Sequence, residues 1–99
     1  MTHAFTIPAG HASLDGHFPG HPIVPAVVLL AEVMSLLESE TALPASAWTL
    51  TSAKFLMPVA PGTPLHLDLD AATAGVQRFA IRGPQGLVAS GSLAPGAAA

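Results

Sequence analysis

The chain has no cysteine among its 99 residues, which excludes disulfides and thiolate metal sites and leaves the redox compartment open. Charge is nearly as scarce: 9% of residues are charged, against about 25% in ordinary soluble domains. Lys54, Arg78 and Arg82 are its three permanent cations, and the formal net charge is −3. That balance excludes the basic footprint of a nucleic-acid binder. No lysine or arginine precedes Lys54, so a signal-peptide n-region is missing. The apolar run Ile23–Ala31 is too short to span a bilayer. A cytoplasmic protein with no membrane association is the expectation.

Apolar residues, in contrast, make up 51% of the chain. Its length predicts a single domain, 1–99, with 95–99 as a frayed tail. A chain this short buries a modest core by itself, so the apolar excess points to a large subunit interface.

The residues order themselves as one helix followed by strands. Phe5–Pro8 reads as a first strand and Ala9–Gly16 as a loop rich in Gly, His, Ser and Asp. Residues 25–40 read as a helix. Its polar residues Glu32, Ser35 and Ser39 fall at i, i+3 and i+7, and nearly all the rest is apolar, the mark of a buried helix. After a connector at 42–47, Trp48–Val59 reads as a long strand. Leu65-His66-Leu67-Asp68-Leu69-Asp70 alternates strictly, which predicts an antiparallel strand with one wet face. Val76–Arg82 and Leu87–Ala94 follow as strands around the turn Gly83-Pro84-Gln85-Gly86. The pattern is α+β, an antiparallel sheet wrapped around one central helix.

The chemistry concentrates in His17-Phe18-Pro19-Gly20-His21-Pro22-Ile23-Val24-Pro25-Ala26-Val27-Val28-Leu29-Leu30. A general base needs a pKa near neutrality and a fixed orientation; histidine supplies the first. Pro19, Pro22 and Pro25 stiffen the loop that holds it. Pro25 sits where helices favour proline, and the free N–H groups just beyond it suit a developing oxyanion. His3, His11, His17, His21 and His66 lack the spacing of a metal site, so no metal is expected. His21 and Asp15 read as loop and turn residues, and His66, Asp68 and Asp70 as a solvated strand face.

This motif resembles that of the 3-hydroxyacyl-acyl-carrier-protein dehydratases, His-Phe-Pro-Gly-x-Pro-x-x-Pro-Gly before an apolar helix. Lys54-Phe55-Leu56-Met57-Pro58-Val59-Ala60-Pro61-Gly62-Thr63 and Gly86-Leu87-Val88-Ala89-Ser90-Gly91 are similar to later segments of that family. The resemblance implies a hotdog fold paired into a double-hotdog dimer, and its compact length is more similar to the short members of polyene clusters. It also implies dehydration of 3-hydroxyacyl thioesters to trans-2-enoyl thioesters in fatty-acid-like or polyene biosynthesis. The substrate would ride on the phosphopantetheine of an acyl carrier protein, with no metal or dissociable cofactor.

By that resemblance His17 is the base at C2, and the Ala26 N–H contacts the oxyanion, with Phe18, Gly20 and Ala31 in the substrate-binding set. Arg78 and Arg82, on one strand face, would contact the carrier. Two departures stand out. Ala26 replaces the family's last motif glycine, and Ala31 occupies the position of its helix carboxylate. Glu32 follows at once, either as the displaced acid or as part of a solvent-facing stripe with Ser35 and Ser39. A homodimer would lack the acid unless Glu32 replaces it, whereas a heterodimer could take one from another hotdog dehydratase. A non-catalytic subunit that binds carrier protein or an active dehydratase is thus the alternative, with a thioesterase third.

Overall fold

Strict alternation builds the centre of the sheet. In β3 (Leu65–Ala71), Leu65, Leu67 and Leu69 are buried while His66 and Asp70 are exposed. In β4 (Gln77–Gly83), Phe79 and Ile81 turn inward and Arg78 and Arg82 outward. With β1 (Thr2–Phe5), β2 (Trp48–Phe55) and β5 (Gly86–Pro95) these form an antiparallel sheet in the order β1-β3-β4-β5-β2. The computed structural model describes residues 2–8, 23–71 and 73–96. Among the described residues, the chain is thus one α-helix, two short 3-10 turns and one sheet.

The helix α1 (Ala26–Thr41) opens directly after Pro25, whose φ of −62° and missing N–H suit a helix start. It closes at Ala42, left-handed at φ 59°, whose N–H donates to the Glu38 carbonyl at 2.9 Å. Val28, Leu29, Val33 and Leu37 are buried and share one core with Leu65, Leu67, Phe79, Ile81 and Leu93. The apolar circumference of α1 predicts burial all round, but the structure buries one stripe. Ala31 is exposed and Val27 is 69% exposed. A single sheet covers one side of a helix, and the Val27–Ala31 side is left open.

Three boundaries differ from the sequence reading, each for a backbone reason. The first strand is Thr2–Phe5 rather than Phe5–Pro8. Ile7 is buried from outside the sheet, and its carbonyl accepts the Gly62 N–H at 2.8 Å. β2 stops at Phe55 rather than Val59. Beyond it Pro58 has no N–H to give, and the Leu56 N–H is taken by the Val88 carbonyl at 2.8 Å. Val88 is the extra residue of a β5 bulge opposite Ile81 and Arg82, which explains two successive buried residues, Val88 and Ala89. Finally, residues 95–96 are not frayed: β5 runs through Pro95, and the Gly96 N–H donates to the Ala47 carbonyl at 2.7 Å.

Candidate functional site

The start of α1 and the exit of β2 meet at a cavity of about 280 Å³. Val24, Ala26 and Leu29 line it from the helix side, and Phe55, Leu56 and Met57 from the strand side. The Val24 N–H donates to Val59 O and ties the two walls together, while the Leu56 N–H donates to Val88 O and anchors the strand side to β5, both at 2.8 Å. The helix start is electropositive, and its first N–H groups have no acceptor within the helix. The Val28 N–H is already spent on the Pro25 carbonyl at 3.0 Å, which leaves those of Ala26 and Val27. An apolar cavity beside such N–H groups suits a carbonyl oxygen that gains negative charge during reaction.

Of the residues singled out by sequence, Ala26 lines this cavity. His17, Phe18, Gly20, His21, His11 and Asp15 lie outside the described residues. Ala31 is exposed, four residues from Val27 and so on the same open side of α1. Glu32 belongs elsewhere. It is half-buried and lines a separate groove of about 310 Å³ with Thr2, His3, Ser35, Ser39 and Glu40. One residue of helix is about 100° of rotation, which sends Ala31 and Glu32 to different surfaces. The strand-side residues Leu56 and Met57 escape a reading of the sequence because the run through Val59 passes for continuous strand. Pro58 was the available signal.

Arg78 and Arg82 lie on the outer face of the sheet, each beside a carboxylate. Arg82 Nε is 3.5 Å from Asp68 Oδ2, and Arg78 faces Asp70 in the β3–β4 register. Thr2 Oγ1 donates to Asp68 Oδ1 at 2.7 Å. That hydrogen bond is the largest influence and holds the Asp68 carboxyl below its ordinary value; desolvation opposes it, and the Arg82 guanidinium adds to the lowering. The arginines therefore sit in mixed charge rather than in a positive field. Among the described residues no helix is long and apolar enough to cross a membrane.

A family model described as ApeI-like, ApeI dehydratase, matches residues 1–92. Curated relatives include the 3-hydroxyacyl-acyl-carrier-protein dehydratase FabZ of Myxococcus xanthus, 37% identical over 57% of this chain and 42% of its own. That of Acidiphilium cryptum is 36% identical over 56% of this chain and 39% of its own. The chain thus spans about two-fifths of the length of these relatives. Among solved structures, the dehydratase heterocomplex ApeI:P from Xenorhabdus doucetiae matches with a TM-score of 0.77 and 23% identity, over 96% of this chain and 85% of that one. An uncharacterized protein from Erwinia carotovora subsp. atroseptica also gives 0.77, at 24% identity over 95% and 80%. The fold is the hotdog.

Proposed function

The chain belongs to the ApeI-like dehydratase family, and from that premise we propose that it takes part in dehydrating a 3-hydroxyacyl thioester held at the start of α1. The observation that carries this reading is the apolar cavity that Ala26 shares with the exit of β2. The thioester carbonyl accepts the Ala26 N–H, which stabilises the enolate formed as His17 removes the C2 proton. The C3 hydroxyl then leaves as water, protonated by an acid, and the electron pair of the C2–H bond becomes the C2–C3 double bond. The substrate rides on carrier-protein phosphopantetheine, and the chain's own groups, with no metal, carry the proton transfers. The setting is cytoplasmic.

The acid is what this chain does not supply. Ala31 stands at the family's carboxylate position, and Glu32 lines the groove beside β1. A hotdog partner that brings its own carboxylate to His17 completes the dyad. Three features support such pairing. β2 pairs with β5 alone among the described strands, which leaves its other edge open. Phe55 and Leu56, at the end of β2, are exposed apolar residues that line the cavity, and Val27, next in sequence to the cavity residue Ala26, is exposed as well. One structural neighbour, moreover, is a dehydratase heterocomplex. The same observations favour the second reading, a subunit that binds and supports an active dehydratase without catalysing the reaction itself.

The test is to purify the chain with its native partner and supply a 3-hydroxyacyl carrier substrate. Enoyl absorbance is expected, and His17→Ala should lower the rate by at least about 10²-fold with an unchanged melting temperature. Activity indifferent to His17→Ala points to the supporting role, free thiol marks a thioesterase, and silence from the assembled complex rejects dehydration.

A further inference from the structure

The outer face of the sheet sorts its charges by strand. β3 turns Asp68 and Asp70 outward, and its neighbour β4 turns Arg78 and Arg82 outward on either side of Ala80. β5 follows with Ser90 and Ser92, which are small and half-buried. An acidic strand therefore runs beside a basic one, with low ground next to it. Asp68 and Arg82 are joined to each other, with 3.5 Å between Oδ2 and Nε. Asp70 and Arg78 are not. They face each other in the β3–β4 register and both are exposed, yet neither side chain has an ion pair or hydrogen bond among the described residues.

Asp70 and Arg78 line a cavity of about 460 Å³ with Ala80, Ser52, Ser90 and Ser92. Its composition does not suit a free oxyanion. The Asp70 carboxylate repels one, and the hydroxyls at the β2 end have spent their protons. Thr51 donates to the Ser92 carbonyl at 3.1 Å, so the 2.7 Å contact between Thr51 Oγ1 and Ser92 Oγ uses the Ser92 proton. The Ser52 proton then goes to Ser92 Oγ at 3.0 Å. What fits is an occupant with a cation for Asp70 and a carboxylate for Arg78, side by side. The same row of a second copy offers those two groups at that spacing.

We infer that two copies of the chain meet across the outer sheet face, with Asp70 of each against Arg78 of the other. A two-fold axis between β3 and β4, running along the strands, produces this pairing. It lays each acidic strand over the other copy's basic strand and keeps the rows in step. Stacked sheets lie about 10 Å apart, a gap that an arginine and an aspartate extended toward each other span. Ala80, Ser90 and Ser92 are short enough to let the faces close. Surface charge pairs give modest affinity, so the contact is weak and sensitive to salt. It involves neither the start of α1 nor the cavity at Ala26, and it holds whatever that cavity binds.

The experiment is sedimentation velocity on the full chain. In about 0.05 M salt the chain should sediment at twice the mass it shows in about 0.5 M, because salt screens the charge pairs. Pairing through apolar residues at the β2 edge is not weakened by salt and sets the same baseline in both. Asp70→Lys and Arg78→Asp should each hold the low-salt mass at that baseline, since each makes all the facing charges alike. An equimolar mixture of the two variants should restore the doubled mass, an all-positive row then lying over an all-negative one. Both reversals put like charges on neighbouring strands, so unchanged melting temperatures verify that the variants fold. Asp70→Asn and Arg78→Gln avoid that cost and should each weaken the association about tenfold. A wild-type mass that is the same in both salts, up to about 1 mM chain, overturns the inference. So does an association that survives both reversals, which belongs to another surface. A mixture of folded variants that stays at the baseline overturns it too, because Asp70 and Arg78 then do not face each other across the contact.

Discussion

Gly91 lies opposite Phe79 in the β4–β5 register, and a Cβ built there would stand 2.6 Å from Phe79 Cε2 and against the Ser52 carbonyl oxygen. β2 bulges nearby, where the register jumps between Leu50 and Ser52. Thr51 is the extra residue, and its hydroxyl is tied to the Ser92 carbonyl at 3.1 Å and the Ser92 hydroxyl at 2.7 Å. Backbone and a buried aromatic ring cannot both yield, so Gly91→Ala should destabilise the fold by about 1–3 kcal/mol, read as a lower melting temperature or denaturation midpoint. An unchanged midpoint would mean that the strands part more readily than the packed Phe79 implies. The sequence presents Gly91 as one more glycine near a chain end. Its role depends on which strand lies beside it, and that is a tertiary fact.

The same limit recurs among the elements. β3 and β4 are legible because Leu65, Leu67, Leu69, Phe79 and Ile81 alternate with polar residues, and period two is a local signal. The helix is legible within a residue because Pro25 and the apolar periodicity mark its start. β1 is misplaced because Phe5 and Ile7 both seek the core, Phe5 from the end of a strand and Ile7 from beyond it. The order β1-β3-β4-β5-β2 puts Thr2 beside Asp68 and Asp68 beside Arg82, a three-strand tie that no spacing in the chain announces. Because the Asp68 carboxyl is held below its ordinary value, its contribution is present above the usual carboxylate range and lost as pH falls through the folded value. Asp68→Asn should therefore melt lower than wild type near neutral pH, and the gap should close as pH drops below that range. A gap that stays constant, or widens in acid, would show that charge at Asp68 does not hold β1 to its neighbours.

At the scale of the whole molecule, the candidate site is half written in this chain. The histidine loop and the helix start are there in sequence, and the apolar cavity beside Ala26 is there in structure. On the proposed reading the helix carboxylate is not, because alanine holds its place at Ala31, on the open side of α1, while Glu32 lines the groove beside β1. That open side, with Val27 69% exposed, and the free edge of β2 are the surfaces a second hotdog subunit would cover. The proposed pairing turns on whether an acid is lacking beside His17 in the chain by itself. The direct measurement is the dehydration rate of the chain alone, from enoyl absorbance on a 3-hydroxyacyl carrier substrate, for wild type, Ala31→Glu and Glu32→Ala. Wild type should show a weak or absent rate, Glu32→Ala no further loss, and Ala31→Glu a gain of at least about 10²-fold as the acid is restored. Full activity of the wild-type chain by itself, abolished by Glu32→Ala, would contradict it.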